Sequence, residues 1–189
     1  TDSLGRDLMT RIAVAFRTDL LVTLAALALA LAIGIPLGLA SGFYGTLTDN
    51  VIMRLLDIVM AFPVVVLSVA VIAALGKSTE NVAIVIGLVY APIFARIVRG
   101  QTLVLKNEEY VHAARALGRS SFSTLVRHIL PNSFQVIAAQ TMLQASFGIL
   151  TISALSFLGL GVQPPQPSLG VLLKDGIDFT TQAPWLSIF

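Results

Sequence analysis

The sequence predicts an all-α, polytopic membrane protein: a helix bundle of about four spans with an amphipathic helix at its N-terminal end and one long basic loop. Three observations lead there. Of 189 residues, 56% are hydrophobic and 12% charged, against about 25% charged in soluble domains. The mean hydropathy is +0.89. The charges sit in clusters between long uncharged runs. So few charges cannot cover the surface of a 20 kDa globule, which argues against a soluble enzyme, a disordered regulator and a coiled coil. The net charge of +2 gives no support to nucleic-acid binding, and the lack of cysteine removes disulfides, thiolate nucleophiles and cysteine metal cages.

Residues 1–19 carry Leu4, Leu8, Met9, Ile12 and Phe16 at helical spacing, with Arg6, Asp7, Arg11 and Arg17 between them. This is the pattern of an amphipathic helix that lies on the membrane or leads into the first span. Leu20 to Phe43 is 24 residues without a charge. At 1.5 Å per residue it reaches about 36 Å, enough to cross an apolar core of about 30 Å. Ile58 to Leu75, 18 uncharged residues, is the second span. Val82 to Ala95 has only 14, and spans if its helix continues past Arg96 and Arg99 while these snorkel to the headgroups. Ser133 to Val162, with 30, is long enough for a span plus a re-entrant or interfacial end.

Within the first run, Ala30, Gly34, Gly38 and Gly42 place a small residue on one helix face every four positions, which lets a neighbouring backbone approach closely. Pro36, Pro63 and Pro92 remove backbone hydrogen bonds in or near spans and predict bends. The chain starts at Thr1 and ends on the apolar Trp185–Phe189, so a fragment lacking flanking helices is expected.

Orientation follows from the basic residues. Arg96, Arg99, Lys106, Arg115, Arg119 and Arg127 face only Glu108 and Glu109 over residues 96–128, which assigns this loop to the cytoplasm. Alternation then places 44–57 inside and 1–19, 76–81 and 163–184 outside. None of the uncharged runs holds a titrating group of the kind that proton-coupled carriers place in their path, so an energy source outside these segments is favoured. Gln140, Gln144, Ser146, Thr151, Ser153 and Ser156 make the last run the most polar; they could line a path, Gln140, Gln144, Ser153 and Ser156 being the candidates, or bond to neighbouring helices. Gly76-Lys77-Ser78 matches only the end of a phosphate-binding loop, because Val71 stands where its first Gly belongs. His112 and His128 have no third ligand in a metal-binding pattern, and no catalytic constellation is found.

The informative stretch is residues 106–131, a cytoplasmic loop within a single membrane domain covering 1–189. Glu108 and Glu109 open a helix at the end where the dipole favours anions. Ala113, Ala114 and Ala116 continue it as strong helix formers, Gly118 ends it as a C′ glycine does, and Ser120 or Ser121 caps the next helix. Pro131 marks the return to the membrane. A short helix with a smooth alanine face, flanked by Tyr110 and Leu117, is a docking element.

This stretch resembles the signature loop of permease subunits of binding-protein-dependent ABC importers, which reads Glu-Ala-Ala, three residues, Gly, nine residues, Ile, one residue, Leu-Pro. Ala113-Ala114, Gly118 and Leu130-Pro131 fall at the matching offsets, with His112 where the family has Glu and His128 where it has Ile. Leu4-Gly-Arg-Asp7, Gly38 to Tyr44, Met53 to Asp57 with Ala61-Phe-Pro63, Arg96-Ile-Val-Arg-Gly100 and the run from Leu155 to Pro165 with Pro167 to Gly170 resemble the dipeptide, oligopeptide and nickel subfamily. Ile152 and Leu169 stand where that subfamily often has Glu and Trp.

The resemblance covers essentially the whole chain. It implies a type I importer permease of the bacterial inner membrane, with one helix missing before Thr1 and one after Phe189. It implies a second homologous permease, a periplasmic or extracellular substrate-binding protein, and two ATPase subunits that carry the ATP and Mg, with no cofactor in this chain. It also implies docking of the ATPase through Tyr110, His112, Ala113, Ala114, Leu117, Gly118 and Arg119. A nickel-complex importer of the same architecture and an ion-coupled carrier are the alternatives.

Overall fold

The computed structural model describes residues 5–163 and 165–177, all in helices and their connecting turns. Asp7 caps the first helix: the hydroxyl and the amide of Thr10 both donate to its carboxylate, the amide at 2.9 Å. The bond from the Thr10 hydroxyl is the main reason its carboxyl lies below the usual range. The amphipathic stretch and the first span are one helix, α1, Leu8–Tyr44, which runs through Pro36.

The second uncharged run is not one continuous helix. It is broken at Ala61-Phe62-Pro63 into α2, Thr46–Met60, and α3, Val64–Leu75, bent by 84°. Pro63 has no N–H to give and disfavours helix in the residue before it. At ψ 133° it stands outside the helix, and its carbonyl accepts from the Leu67 amide at 3.0 Å. The 12 residues of α3 rise only about 18 Å.

Gly76, at φ +100°, turns the chain towards α4, Thr79–Leu105, and the Asn81 amide nitrogen donates to the carbonyls of Leu75 and Gly76. Helix α4 continues past Arg96 and Arg99. After α5, Glu109–Ala116, and α6, Ser121–Thr124, a π turn over Leu125–Ile129 leads into α7, Leu130–Phe157. Helix α8 is Leu169–Ile177. Among the described residues, three helices are long and apolar enough to span, Leu8–Tyr44, Thr79–Leu105 and Ser121–Phe157, or four if the bent pair counts as one. The apolar end Trp185–Phe189 lies outside the described residues.

The chain divides into two compact units. One comprises residues 28–62 and 88–143. Here the small-residue face of α1 is filled by α4. A methyl group on Gly34 would stand 2.7 Å from the Ala91 carbonyl oxygen, one on Gly38 2.7 Å from Val98 Cβ, and one on Gly42 2.6 Å from Thr102 Cβ. Charges lock the same end. Arg99 grips both oxygens of Asp49, which also accepts from Ser41, and Arg96 pairs with Asp57. Lys106 donates to the Gly42 carbonyl at 2.8 Å. Both arginines are thus held by acids of α2, where the sequence alone points to snorkelling. These bonds also place 44–57 and 96–106 at one end of the unit.

The other unit comprises 1–27, 63–87 and 144–189. Its α7 carries Gly148 against Thr23 of α1, and Gly170 of α8 lies against the backbone of Ser153 and Phe157. Asp19, fully buried, accepts from the Leu169 amide at 3.0 Å and from the hydroxyls of Ser153 and Ser168 at 3.2 and 3.3 Å. The start of α8 is therefore tied to both α1 and α7.

Gly38→Leu should lower the detergent-solubilised melting temperature, because overpacking costs about 1–3 kcal/mol; Gly100→Ala, whose added methyl meets nothing within 4 Å, should hold or raise it, since Ala favours helix over Gly by about 1 kcal/mol. Asp49→Ala strands Arg99 and should destabilise by about 1–3 kcal/mol. Adding Arg99→Ala should then cost less than the sum of the two single changes.

Candidate functional site

The candidate site is α5 and the turn after it. Glu108 stands in extended conformation before the helix, Glu109 lies in its first turn and Arg115 in its last, so both ends suit the dipole. The end is closed by paired bonds: the Gly118 amide donates to the Arg115 carbonyl at 2.9 Å and the Arg119 amide to the Ala114 carbonyl at 3.2 Å. That is the Schellman arrangement, which needs a left-handed residue at its centre; Gly118 supplies it at φ +79°. Of the two serines that could cap α6, Ser120 does so, accepting from the Ser123 amide at 3.3 Å. A turn closed at every bond presents a fixed shape.

The helix has two faces. Val111 and Ala114, three apart, are buried, and Val111 joins a core with Leu39, Val98, Leu125, Ile129 and Ile137. Ala114 therefore faces its own unit rather than the outer docking surface that the sequence assigns it to. The outer face is His112, Ala113, Ala116, Leu117, Gly118 and Arg119, all exposed. Leu117 is 85% exposed and Phe122, across the turn, 74%. Nothing lies within 4 Å of where a Gly118 side chain would start. Two large apolar side chains thus flank an open glycine turn, with nothing of this unit covering them.

Tyr110 sits at the border, its ring 6.3 Å from that of His128. Partial burial and then the Glu108 carboxylate raise its phenol above the usual value, so it stays neutral as a hydrogen-bonding group. Leu130 and Pro131 do not interrupt the chain's return: helix runs from Ser121 to Phe157. Pro131 cannot donate to the carbonyl four residues back, and just before it the helix widens, with the Leu130 amide reaching the Leu125 carbonyl. The sequence shows the proline but not the π turn.

Two of the four candidate path residues are engaged within their own unit. Ser153 donates to Asp19, and Ser156 accepts from the Val162 amide at 3.1 Å. Both serines thus hold turns and helices together. Gln144 is buried and Gln140 half-buried. Asp19 itself is not legible in the sequence: it lies one position before the first uncharged run and reads as part of the amphipathic stretch, and only the fold brings Ser153 and Ser168 to it. Among the described residues, no group of three or more His, Cys, Asp or Glu could hold a metal ion.

Comparison with known proteins identifies the family. The model of the family described as binding-protein-dependent transport system inner membrane component matches residues 34–189. The chain is 43% identical over its whole length to the dipeptide transport system permease protein DppC of Alkalihalophilus pseudofirmus. It is 40% identical to the glutathione transport system permease protein GsiD of Pectobacterium atrosepticum, and equally so to that of Escherichia coli. The chain spans 62% of the length of these curated relatives. An all-helical, multi-pass chain with this match is a protein of the cytoplasmic membrane, and it belongs to the family of inner-membrane permease components of binding-protein-dependent ABC importers.

Proposed function

We propose that this chain forms part of the translocation path of an ATP-driven importer for di- or oligopeptides, and that α5 with its Gly118 turn docks on an ATPase subunit. Residues 1–189 act as one permease domain, with 106–131 as its coupling loop on the cytoplasmic side. A periplasmic or extracellular binding protein delivers the solute, a second homologous permease completes the path, and two ATPase subunits bind ATP and Mg. The observation that carries the docking role is the outer face of α5: a fixed helix with exposed Leu117 and Phe122 around an open turn. The peptide substrate rests on the relatives, whose names specify a dipeptide and glutathione, both short peptides.

The mechanism is that of a two-state bundle. A ligand shifts such an equilibrium only by binding one state better than the other. ATP bound to the partner subunits favours their closed arrangement, and α5, seated in a groove on one of them, carries that preference to α1, α4 and α7 through the core around Val111. Binding protein and solute act at the opposite end and, by linkage, change the ATPase in return. This chain performs no bond-breaking step of its own.

Burying Leu117 at an interface is worth about 1.5–3 kcal/mol. Leu117→Asp should therefore weaken co-purification of the ATPase subunits by about tenfold or more while leaving the permease folded, since the residue touches little of its own unit. Gly118→Trp, which strains the turn and fills the groove, should reach the membrane and abolish uptake. Undiminished ATPase binding by Leu117→Asp together with normal uptake by Gly118→Trp would remove the docking assignment.

A further inference from the structure

We propose that Arg115 is a positioning residue that straps α5 to the inner end of α1, so that displacement of α5 reaches the end of the first span through this side-chain contact in addition to the core around Val111. This deepens the docking role proposed above and rests on it. Arg115 lies in the last turn of α5, beside the docking face but outside the set assigned to the ATPase contact. Its guanidinium carbon stands 4.5 Å from the centre of the Phe43 ring, within the range at which the ring's negative face attracts a cation. Phe43 is the second-last residue of α1 and packs, half-buried, against the core that contains Val111. It also meets Tyr44 edge-on at 5.4 Å.

The rest of α5's seat has a different character. Val111 belongs to an apolar core contributed by several helices, and Ala114 is buried. Tyr110 meets the π turn through His128. Lys106, ahead of α5, holds the Gly42 carbonyl, one residue before Phe43. Lys106, from before α5, and Arg115, from within it, therefore both hold the last turn of α1. Lys106 directly follows α4, whereas Arg115 belongs to α5 itself. Arginine suits the task because its charge is permanent and its flat guanidinium stacks on a ring, whereas lysine keeps the charge and loses the stacking.

The test uses the full-length permease with its partner permease and ATPase subunits in nanodiscs. Residues 1–189 contain no cysteine; with any cysteine elsewhere in the full-length permease and its partners replaced, a bimane label on Tyr44→Cys, at the exposed end of α1, is the single labelled thiol. ATP with vanadate should change the label's emission in the otherwise native complex. Arg115→Ala and Phe43→Leu should each reduce that change at least threefold, the two together no further than either alone, with Arg115→Lys in between. The ATPase subunits should co-purify equally with all of them. An unchanged response in Arg115→Ala, losses that multiply in the double variant, or no response in the native complex with ATPase bound would each overturn the strap. Loss of ATPase co-purification in Arg115→Ala would also overturn it, by making Arg115 part of the docking face. If the native chain fails to bind the ATPase at all, the docking reading itself falls, and the strap with it.

Discussion

The close seat of α1 on α4 is the contact on which the unit of residues 28–62 and 88–143 depends. Gly34, Gly38 and Gly42 bring the α1 backbone so near that a single added carbon would meet the opposite carbonyls or side chains of α4. Lipid tails are as apolar as any side chain, so two spans gain little by hiding leucines from them. They gain by close packing and by hydrogen bonds between them. The short distance between the two helices fixes the position of the groups around it. Leu39 and Val98, beside Gly38 on the two helices, form one side of the core that receives Val111. Asp49, Arg99 and Lys106 close the same end with charged bonds. A wider separation of α1 and α4 would leave α5 without its seat.

A rigid seat explains why a helix as short as α5 can serve as a mechanical element. Eight residues are too few to be stable alone in water. Packing of Val111 and Ala114, the dipole-matched ends and the closed Schellman turn hold it in one conformation. The side chains of the outer face, His112, Ala113, Ala116, Leu117 and Arg119, are exposed and are left free of that packing. Division of labour between the two faces lets an outside partner push on the helix without unfolding it.

Much of this is legible in the sequence, and the rest is not for reasons that differ from residue to residue. The first span, the continuation of α4 past Arg96, the alanine helix, the Gly118 turn and the tight glycine face of α1 are all local patterns, and local patterns survive in the fold. Pro63 announces a bend, but the uncharged run around it hides how complete the break is, since hydropathy measures transfer into lipid and not helix continuity. Arg96 and Arg99 look like snorkelling residues because their acids lie 39 and 50 positions away in the chain. Ala114 looks like part of the docking face because the alanines are alike in sequence; the three-residue spacing to Val111 is the available signal that one of them turns inward. Asp19 gives no signal, since its partners come from residues 153 and 168–169. Ser153 and Ser156 are visible in the sequence as polar residues that could line a path, but not as partners of Asp19 and Val162.

The central claim is that events at the two ends of the permease are coupled through α5. The most direct measurement is ATP hydrolysis by the complete complex in proteoliposomes, before and after adding binding protein and a dipeptide or glutathione. The account predicts that hydrolysis rises on addition, and that the rise disappears when the outer face of α5 is altered while the complex remains assembled. Hydrolysis that ignores binding protein and solute in an assembled complex, with uptake that instead follows an ion gradient, would contradict it.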